Sequence, residues 1–433
     1  MPLVDRLKRL RILEPLAERD YRLLAIGSLI SLIGDGFFYV ALAWQVYELS
    51  NVPTALSLVG LAWTLPLVLF VVIGGVASDR YDRRRVMIGA DILRAVTVGA
   101  IGVLSVTGLL ELWHVIGLIA FVGIGDAFFN PASTAIVPDL LPEERLPQAN
   151  ALNGALRPLT LRLIGPALAG FIVAAVGPGW AFVADGASFL ASALAIGMIA
   201  RRPHLLERPA AGMRQTFVEV GEGFAFVRAN PWCWATLLAA MMSLLVFFGP
   251  VEVLVPYIVK NGLGLGPEAL GAIFAFGGIG SVLTAISVGQ TGLPRKRITI
   301  MYVAWSVGVA LMAVYGVMTQ LWQALVVSVV VHSLFELGQI TWTTLLQQLV
   351  PRGLLGRVSS LDWMVSTGLV PVSFALTGPI ADAFGAERTM VAAALLGGVL
   401  MGALLFVPGV RDPERRGLPD AVTSGALVGM GDR

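Results

Sequence analysis

Long apolar stretches separated by short polar segments run through almost the whole chain. A bilayer core about 30 Å thick requires roughly 20 mostly apolar residues for each helix that crosses it, and twelve stretches meet that length. They are numbered α1 to α12, with predicted ranges 23–47, 55–78, 86–107, 114–137, 150–176, 180–200, 232–259, 269–290, 298–318, 322–349, 358–384 and 389–407. The pattern therefore predicts an all-α membrane protein with twelve transmembrane helices.

Three segments fall outside this pattern. Residues 1–22 form a charged segment before α1, and residues 408–433, rich in Gly, Pro, Asp and Arg, are predicted to be a disordered tail. Residues 201–231 begin polar and end with apolar residues at helical spacing, namely Phe217, Val220, Phe224 and Val227. We predict a linker with an amphipathic interfacial helix between two six-helix halves, 23–200 and 232–407. A plain solvated loop is the alternative interpretation of the linker.

The composition agrees with a bilayer environment, since 57% of the residues are hydrophobic, 13% are charged and the mean hydropathy is +0.82. The net charge of +2 gives no reason to expect a nucleic acid or another polyanion as a partner. With three His residues and Cys233 as the single Cys, neither a multi-ligand metal site nor a disulfide is predicted.

The distribution of positive charge predicts the orientation. Of the 30 Lys and Arg residues, all but five lie in segments that fall on the same side of the membrane as the two termini. Because cytoplasmic loops carry an excess of Lys and Arg, both termini are predicted to be cytoplasmic. The first 22 residues lack the apolar core and cleavage site of a signal peptide, so α1 is expected to act as an uncleaved insertion signal.

The two halves resemble each other. DLLPEERL (139–146) precedes α5 and QLVPRGLLGRV (348–358) precedes α11. Each is followed by a Gly-Pro pair inside the helix, at 165–166 and 378–379. Duplicated six-helix halves are typical of transporters that rock about a substrate site near the bilayer midplane. The repeat therefore predicts a site between the halves.

The loop between α2 and α3, GVASDRYDRRRV (75–86), combines an acid with a cluster of arginines. It resembles the signature loop of the major facilitator superfamily, with matches at Gly75, Asp79, Arg80, Arg83 and Arg84 and a departure at Asp82, where the family has glycine. A generic positively charged loop would explain the arginines but not the acid at its fixed spacing. We predict that Asp79 accepts hydrogen bonds at the start of α11, near Arg357, and so closes the cytoplasmic side.

Within α5, RLIGPALAG (162–170) resembles the antiporter motif of the same superfamily. Arg162 opens the stretch, matches lie at Gly165, Pro166 and Gly170, and Leu161 and Ala169 replace two glycines. Small residues permit close approach of helices and Pro permits a bend, which suits an interface between the halves. A kink without a transport role is the alternative. The resemblance favours export over uptake.

Four further stretches are similar to the twelve-helix drug:proton antiporter branch, which includes macrolide-efflux proteins, the enterobactin exporter and a mycobacterial tetracycline and aminoglycoside pump. These stretches are 34–49, 128–152, 222–231 and 355–361. The resemblance covers nearly the whole chain. It implies two pseudo-symmetric halves of the major facilitator fold, a monomer in the bacterial inner membrane, and export of small amphiphilic compounds driven by the proton gradient without another cofactor.

Acids inside the membrane are costly unless they are paired or face water, so each one is a functional candidate. Asp35 lies midway along α1 and shares one face with Ser28, Ser31 and Tyr39. We predict that this face lines the central cavity and that Asp35 is the principal proton carrier. Phe38 and Tyr39 are expected to lie next to the substrate. A structural pair between Asp35 and an Arg of α4 or α5 is the alternative.

Glu336 and Asp126 are the other candidates for proton coupling and for substrate contact. His332, Glu336 and Gln339 share a narrow polar arc of α10 and are predicted to line the pathway. Packing of this arc against another polar helix is the alternative. Asp126 in α4 would make the first half of the cavity acidic, so cationic amphiphiles are the favoured substrates.

The remaining charges within the helices receive structural or gating predictions. Glu252, near the outer end of α7, is either an exit gate or an interface residue, and Asp185 is expected to be solvated near the outer surface. Asp91 and Arg94 are expected to neutralise each other at i, i+3. Arg157 and Arg162 are predicted to be structural counterions or conformational latches, and Asp362 is predicted to be a capping or gate residue at the start of α11.

No pattern supports an enzyme or a primary pump. The chain contains no phosphate-cradling Gly-x-x-x-x-Gly-Lys-Ser/Thr loop, and the sequence shows no nucleophile and base arrangement. The prediction is therefore a proton-coupled exporter of small amphiphilic compounds, including antibiotics. A dedicated siderophore or lipid exporter, or a non-transporting receptor or scramblase on the same fold, is the alternative.

Overall fold

Helices make up most of the computed structural model, which describes residues 11–200 and 213–417. Twelve of the described helical segments are long and apolar enough to cross a membrane. The prediction of twelve transmembrane helices is therefore confirmed.

The helix bounds follow the apolar stretches. In the N-terminal half they are α1 Arg19–Leu49, α2 Pro53–Arg80, α3 Arg83–Val106, α4 Leu112–Leu140, α5 Glu143–Val176 and α6 Pro178–Gly197. In the C-terminal half they are α7 Pro231–Gly262, α8 Pro267–Thr291, α9 Arg297–Gly316, α10 Leu321–Leu349, α11 Arg352–Gly368 with Val370–Phe384, and α12 Ala386–Leu404. Four of them begin with Pro, whose fixed φ and missing N–H suit the first helical position.

Several helices extend beyond their predicted ranges at charged ends. α1 begins at Arg19 and α11 at Arg352, because a helix continues to satisfy its own backbone groups after the apolar stretch ends. Asp362 consequently lies well inside α11. Its predicted role as the cap of that helix is wrong.

The linker contains a helix, Met213–Ala229, which packs against α11. Glu222 of this linker helix forms an ion pair with Arg357, and Gly223 lies close to the same residue. Val227 is 6% exposed, whereas Phe224 is 59% exposed. The linker helix therefore docks on the C-terminal half, a contact that the apolar spacing alone did not predict. The side chains of Phe217 and Val220 lie outside the described part.

Parts of the predicted terminal segments and linker, residues 1–10, 201–212 and 418–433, also lie outside the described residues. Residues 408–417 are described, and they pack against the C-terminal half. Val410 is fully buried, and the Glu414 carboxylate accepts a hydrogen bond from Thr299 Oγ1 at 2.8 Å. Glu414 thus lies beside the first turn of α9, where the helix dipole favours an anion. The prediction of a disordered tail from residue 408 onward is therefore wrong for residues 408–417.

Apolar packing differs between the two ends of the bundle. The basic end carries the loop between α2 and α3, and the opposite end carries the loops α1–α2 and α7–α8. At the opposite end one buried core includes residues of both halves, such as Tyr47, Val253 and Phe374. At the basic end the described residues form two cores, one around Met87 in the N-terminal half and one around Trp342 in the C-terminal half.

Hydrogen bonds between the halves reinforce the opposite end. The Tyr47 hydroxyl donates to the Val253 carbonyl at 2.6 Å, and the Asn51 amide donates to the Asn261 side chain at 2.7 Å. Two further bonds run from Lys260 to the Tyr47 carbonyl and from Thr54 to Asp382. Lys260 thereby places a positive charge on the carbonyl end of α1, where the helix dipole favours it.

Glycines bring the halves into direct contact at this end. A Cβ at Gly378 of α11 would lie 2.6 Å from the Thr54 Cα and 2.7 Å from the Ser57 Cβ of α2. A Cβ at Gly170 of α5 would lie 3.2 Å from the Gly271 Cα of α8. The close approach of α2 to α11 and of α5 to α8 therefore requires glycine at these positions, as in other interfaces between membrane helices.

Gly378→Leu should keep the opposite end from closing, because the new side chain would overlap α2. Spin labels at the exposed residues Val52 and Arg388 should report a longer distance in this variant by pulsed electron paramagnetic resonance. Gly289→Leu is the matched control, since a Cβ there meets open space. An unchanged distance in Gly378→Leu would show that the glycine is not required for closure.

Candidate functional site

A cavity of about 650 Å³ lies between the two halves. Helices α1, α2 and α5 form one wall, and α7, α8, α10 and α11 form most of the other. Its charged lining residues are Arg157, Arg162, Glu252, Glu336 and Asp362. Its aromatic lining includes Tyr39, Trp63, Phe247, Phe248, Trp363 and Phe374. This volume and mixture of apolar and polar groups fit a drug-sized molecule.

A distorted stretch of α5 holds the cavity arginines. Residues Leu159–Ile164 are π-helical, and the Gly165 N–H bonds to the Thr160 carbonyl. Pro166 follows directly and cannot donate, so the regular ladder is interrupted here. A Cβ at Gly165 would lie 2.7 Å from the Gly36 Cα of α1. The predicted antiporter motif thus packs α5 against α1 and α8, with Arg162 in the π-helical stretch.

Glu252 lies on the opposite wall, in a second π-helical stretch, Pro250–Leu254. Pro256 lacks the N–H that would bond to the Glu252 carbonyl in a regular helix. The sequence left Glu252 undecided between an exit gate and an interface residue. Its place on the cavity wall is a finding of the structure, and the two prolines beside it are the sequence signal for an irregular helix.

The polar arc of α10 reaches the cavity as a group. His332, Glu336 and Gln339 all line it, and Tyr39 faces them from α1. The His332 Nδ1 lies 2.9 Å from the Ser328 carbonyl, and its ring meets the edge of Phe247 at 6.1 Å between centroids. Helical spacing was sufficient to predict this group.

Asp362 completes the acidic side of the cavity. The Trp342 Nε1 donates to its carboxylate at 3.2 Å. Sequence reasoning missed its place in the cavity because the apolar criterion began α11 too late and moved Asp362 to the membrane surface.

A second pocket of about 470 Å³ lies inside the N-terminal half. Asp35, Asp126 and Asp185 line it together with Arg94. The two spaces adjoin, since both are lined by Tyr39, Trp63, Leu67, Arg157 and Leu161. From there the second pocket extends toward the basic end, past Tyr21, Thr134 and Asn150.

Arg94 is the buried cation of this pocket, with 4% of its side chain exposed. It bonds to Asp91 and, at 3.1 Å, to Asp126. Its guanidinium also lies 4.2 Å and 4.3 Å from the ring centroids of Phe129 and Phe189. The predicted pair of Asp91 and Arg94 is therefore a group of three. The sequence analysis did not include Asp126 in this group, because Asp126 lies on another helix, α4.

Three residues predicted for the central cavity lie elsewhere. Asp126 lines only the second pocket, where Arg94 matches its charge and the Trp63 Nε1 donates to it at 3.0 Å. Asp35 also lines the second pocket and not the central cavity. Phe38 is 3% exposed and packs edge to face against Trp63. The polar face of α1 therefore points into the N-terminal half. Of the α1 residues predicted to line the central cavity, only Tyr39 does so.

Asp185 was expected to be solvated, and this prediction is wrong. The residue has no exposed surface. Ser188 donates to one carboxylate oxygen at 3.2 Å, and the other has no hydrogen-bond partner among the described residues. Its position seven residues into α6 suggested the membrane surface, but neighbouring helices cover that level of the bundle.

The signature loop ties together helices of the N-terminal half. Arg83 donates to the Ala135 carbonyl at 2.8 Å and to Asp139 at 2.7 Å. Arg84 donates to the Ile196 carbonyl at 2.9 Å, near the carbonyl end of α6. The residue that departs from the family pattern, Asp82, caps α3 by accepting from the Arg84 N–H at 3.0 Å.

Asp79, the residue of the signature loop that is predicted to close the cytoplasmic side, lies at the end of α2. Asp79 and Arg80 are exposed in its last turn, and a Cβ at Gly75 would meet open space. Arg357 forms an ion pair with Glu222 of the linker helix. The predicted contact of Asp79 with the start of α11 stays a prediction.

Comparison with known proteins gives the family. Residues 11–416 match the family described as Transmembrane secretion effector. The chain belongs to this family. It lies within the major facilitator superfamily, as the signature loop predicted, and its members are membrane transporters rather than enzymes.

Two curated relatives span almost all of this transporter. The multidrug efflux pump Tap of Mycolicibacterium fortuitum is 27% identical over 92% of this chain and 98% of its own length. Macrolide efflux protein A of Streptococcus pyogenes is 25% identical over 88% of this chain and 93% of its own length. Among solved structures, the nucleoside transporter NupG matches 88% of this chain and 97% of its own with a TM-score of 0.68 at 12% identity. This last likeness concerns the fold alone.

Arg94→Gln should destabilise the transporter by about 3 kcal/mol, because the buried Asp91 and the partly buried Asp126 lose their cation. The midpoint of thermal unfolding in detergent measures the effect. Arg85→Gln is the control on the same helix, since the Arg85 side chain is 71% exposed. Equal midpoints for the two variants would mean that the buried ion group contributes no stability.

Proposed function

We propose that this transporter exports small amphiphilic compounds, antibiotics among them, from the bacterial cytoplasm in exchange for protons. The central cavity is the observation that carries the proposal. It lies between the halves, has the volume of a drug-sized site, and combines aromatic rings with charges of both signs. The efflux pumps named among the relatives support the direction of transport.

The charges of the cavity are distributed by wall. The N-terminal half contributes Arg157 and Arg162, and the C-terminal half contributes Glu252, Glu336 and Asp362. An amine on the substrate would lie against the acidic and aromatic wall, and an acceptor group would lie against the arginines. Amphiphiles with a cationic amine are therefore the favoured substrates. The preference is modest, because a buried carboxylate loses hydration when it binds a cation.

The proposed orientation places the basic end in the cytoplasm, as the excess of Lys and Arg there favours. The shared core and the hydrogen bonds between the halves then close the extracellular side. A substrate would enter from the cytoplasmic side and leave after the closure moves to that side. One chain forms the whole cavity, so the proposed transport cycle requires only a monomer.

Proton coupling is assigned to Asp35 as the principal carrier. It lines the pocket that adjoins the substrate cavity and extends toward the basic end. Burial disfavours the charged form of a carboxylate, whereas Arg157 at the boundary of the pocket favours it. A change of conformation that alters either influence would bind or release a proton. The proton gradient is the energy source, and no other cofactor is part of the proposal.

Asp35→Asn is the direct test of this proposal. In proteoliposomes the variant should lose at least about tenfold in gradient-driven efflux, because an amide of nearly the same shape cannot titrate. Exchange of substrate without a gradient should continue, and Asp35→Glu should keep partial activity with a shifted pH optimum. Glu144→Gln, an exposed acid at the basic end, is the control. Full gradient-driven efflux by Asp35→Asn would remove Asp35 from the mechanism.

The cavity charges lead to a separate prediction about specificity. For a matched pair of ligands, one with a cationic amine and one with a neutral isostere, Glu336→Gln should reduce the preference for the cation by about fivefold, or roughly 1 kcal/mol. Binding to purified protein measures both affinities. Glu387→Gln, an exposed acid at the start of α12, should leave their ratio unchanged. An equal ratio in Glu336→Gln and the parent would exclude Glu336 from cation binding.

A further inference from the structure

Asp185 is the buried acid for which the proposed mechanism has no role. It lies on α6 with no exposed surface, and one of its oxygens has no hydrogen-bond partner among the described residues. A fully buried carboxylate with a single hydroxyl donor is a costly arrangement if it carries a full charge. A bound proton would remove that charge and turn the oxygen without a partner into a donor or a neutral acceptor.

Asp185 contacts α1 at Gly34, the residue that precedes Asp35 in the chain. A Cβ at Gly34 would overlap both the Asp185 carboxylate and the Ser188 hydroxyl, so only glycine lets α6 approach α1 at this level. Both acids line the second pocket. The two carboxyls therefore line the same pocket, with Asp35 on α1 and Asp185 on α6.

The other ionisable groups around this space come from α1, α3, α4 and α5. α1 contributes Tyr21 and Tyr39, α3 contributes Asp91 and Arg94, α4 contributes Asp126, and α5 contributes Arg157. The hydrogen bonds of Arg94 to carboxylates go to Asp91 and Asp126. Arg157 lies at the boundary with the central cavity. Four ionised acids would outnumber the two cations, and protons are the simplest way to balance them.

We infer that Asp35 and Asp185 form one proton site inside the N-terminal half, separate from the substrate cavity. A proton taken from water converts one carboxylate to a carboxylic acid, which can donate to the other. It leaves to water along the part of the pocket that extends toward the basic end past Ser133 and Asn153. This inference rests on the proposed proton coupling and adds its second carboxyl.

Separation from the substrate cavity changes how coupling would operate. Asp35 and Asp185 line only the second pocket, whereas Tyr39 and Arg157 line both spaces. A proton would therefore act on the substrate through the charge and position of Arg157, and not by direct competition for the same carboxylate. The substrate and the proton then occupy adjacent sites that influence each other.

Infrared difference spectroscopy of the purified protein between acidic and neutral pH tests the site without transport. Asp185→Asn and Asp35→Asn should each alter the same protonated-carboxyl band, and Glu144→Gln should leave it as in the parent. A band in Asp185→Asn identical to that of the parent would overturn the inference.

A double-variant cycle in proteoliposomes tests whether the two acids act as one site. Each single Asn variant should lower proton-driven efflux by about tenfold, and the double variant should lower it no further, because groups that act as a unit are not additive. Exchange without a gradient should stay within about twofold of the parent, which separates lost coupling from lost binding. Losses that multiply in the double variant would overturn the pair.

Failure of the inference can be distinguished from failure of the proposed function. Absence of proton-driven efflux in the parent would end the proposed function, while the infrared band would still support or overturn the pair. If Asp185→Asn does not fold, Ser188→Ala removes only the hydroxyl that bonds to Asp185. It should displace the pH profile of the band by roughly half a pH unit, as expected for the loss of one hydrogen bond, and an unchanged profile would overturn the inference.

Discussion

The apolar core that the two halves share at one end is the constraint on which the rest of the structure depends. Tyr47, Val253 and Phe374 belong to one buried cluster there, whereas the basic end has separate cores for the two halves. Separation of the halves at the shared end would expose that packing, at roughly 25 cal/mol for each Å² that becomes wetted. Any opposite conformation must therefore bury a comparable surface at the basic end. The cavity lies between the halves, whose cores at the basic end are separate.

Departures from regular helix place the charges of the cavity. Arg162 and Glu252 both lie in π-helical stretches next to proline, on opposite walls. Each distortion gives up regular backbone hydrogen bonds, which a membrane helix tolerates where the chain is buried in protein or lines a wet space. Gly165 and Gly170 of α5 have a related role. They allow α5 to approach α1 and α8 closely enough that this distorted helix belongs to both the N-terminal half and the contact between halves.

Length and periodicity were sufficient to predict the twelve helices and the polar arc of α10, because both are properties of a single helix. The family followed from the signature loop, which is also local. The sequence did not show which acids share a space. Asp126 bonds to Arg94 of another helix, and Asp185 meets α1 only because residue 34 is glycine. Such contacts depend on the rotation and depth of two helices together, and apolar length fixes neither. Asp362 was misplaced for a related reason, since α11 begins at Arg352, ahead of its apolar stretch.

The packed start of the tail has a consequence for how the protein is made. Val410 completes the core at the basic end of the C-terminal half, and Glu414 bonds to the first turn of α9. Both residues leave the ribosome after all twelve helices. Domains fold in the order of synthesis, so the N-terminal half can assemble around its own core while the C-terminal half waits for these last residues. Assembly of the second half therefore finishes only after α12 has been synthesised, and truncation before Val410 would leave its core at the basic end incomplete.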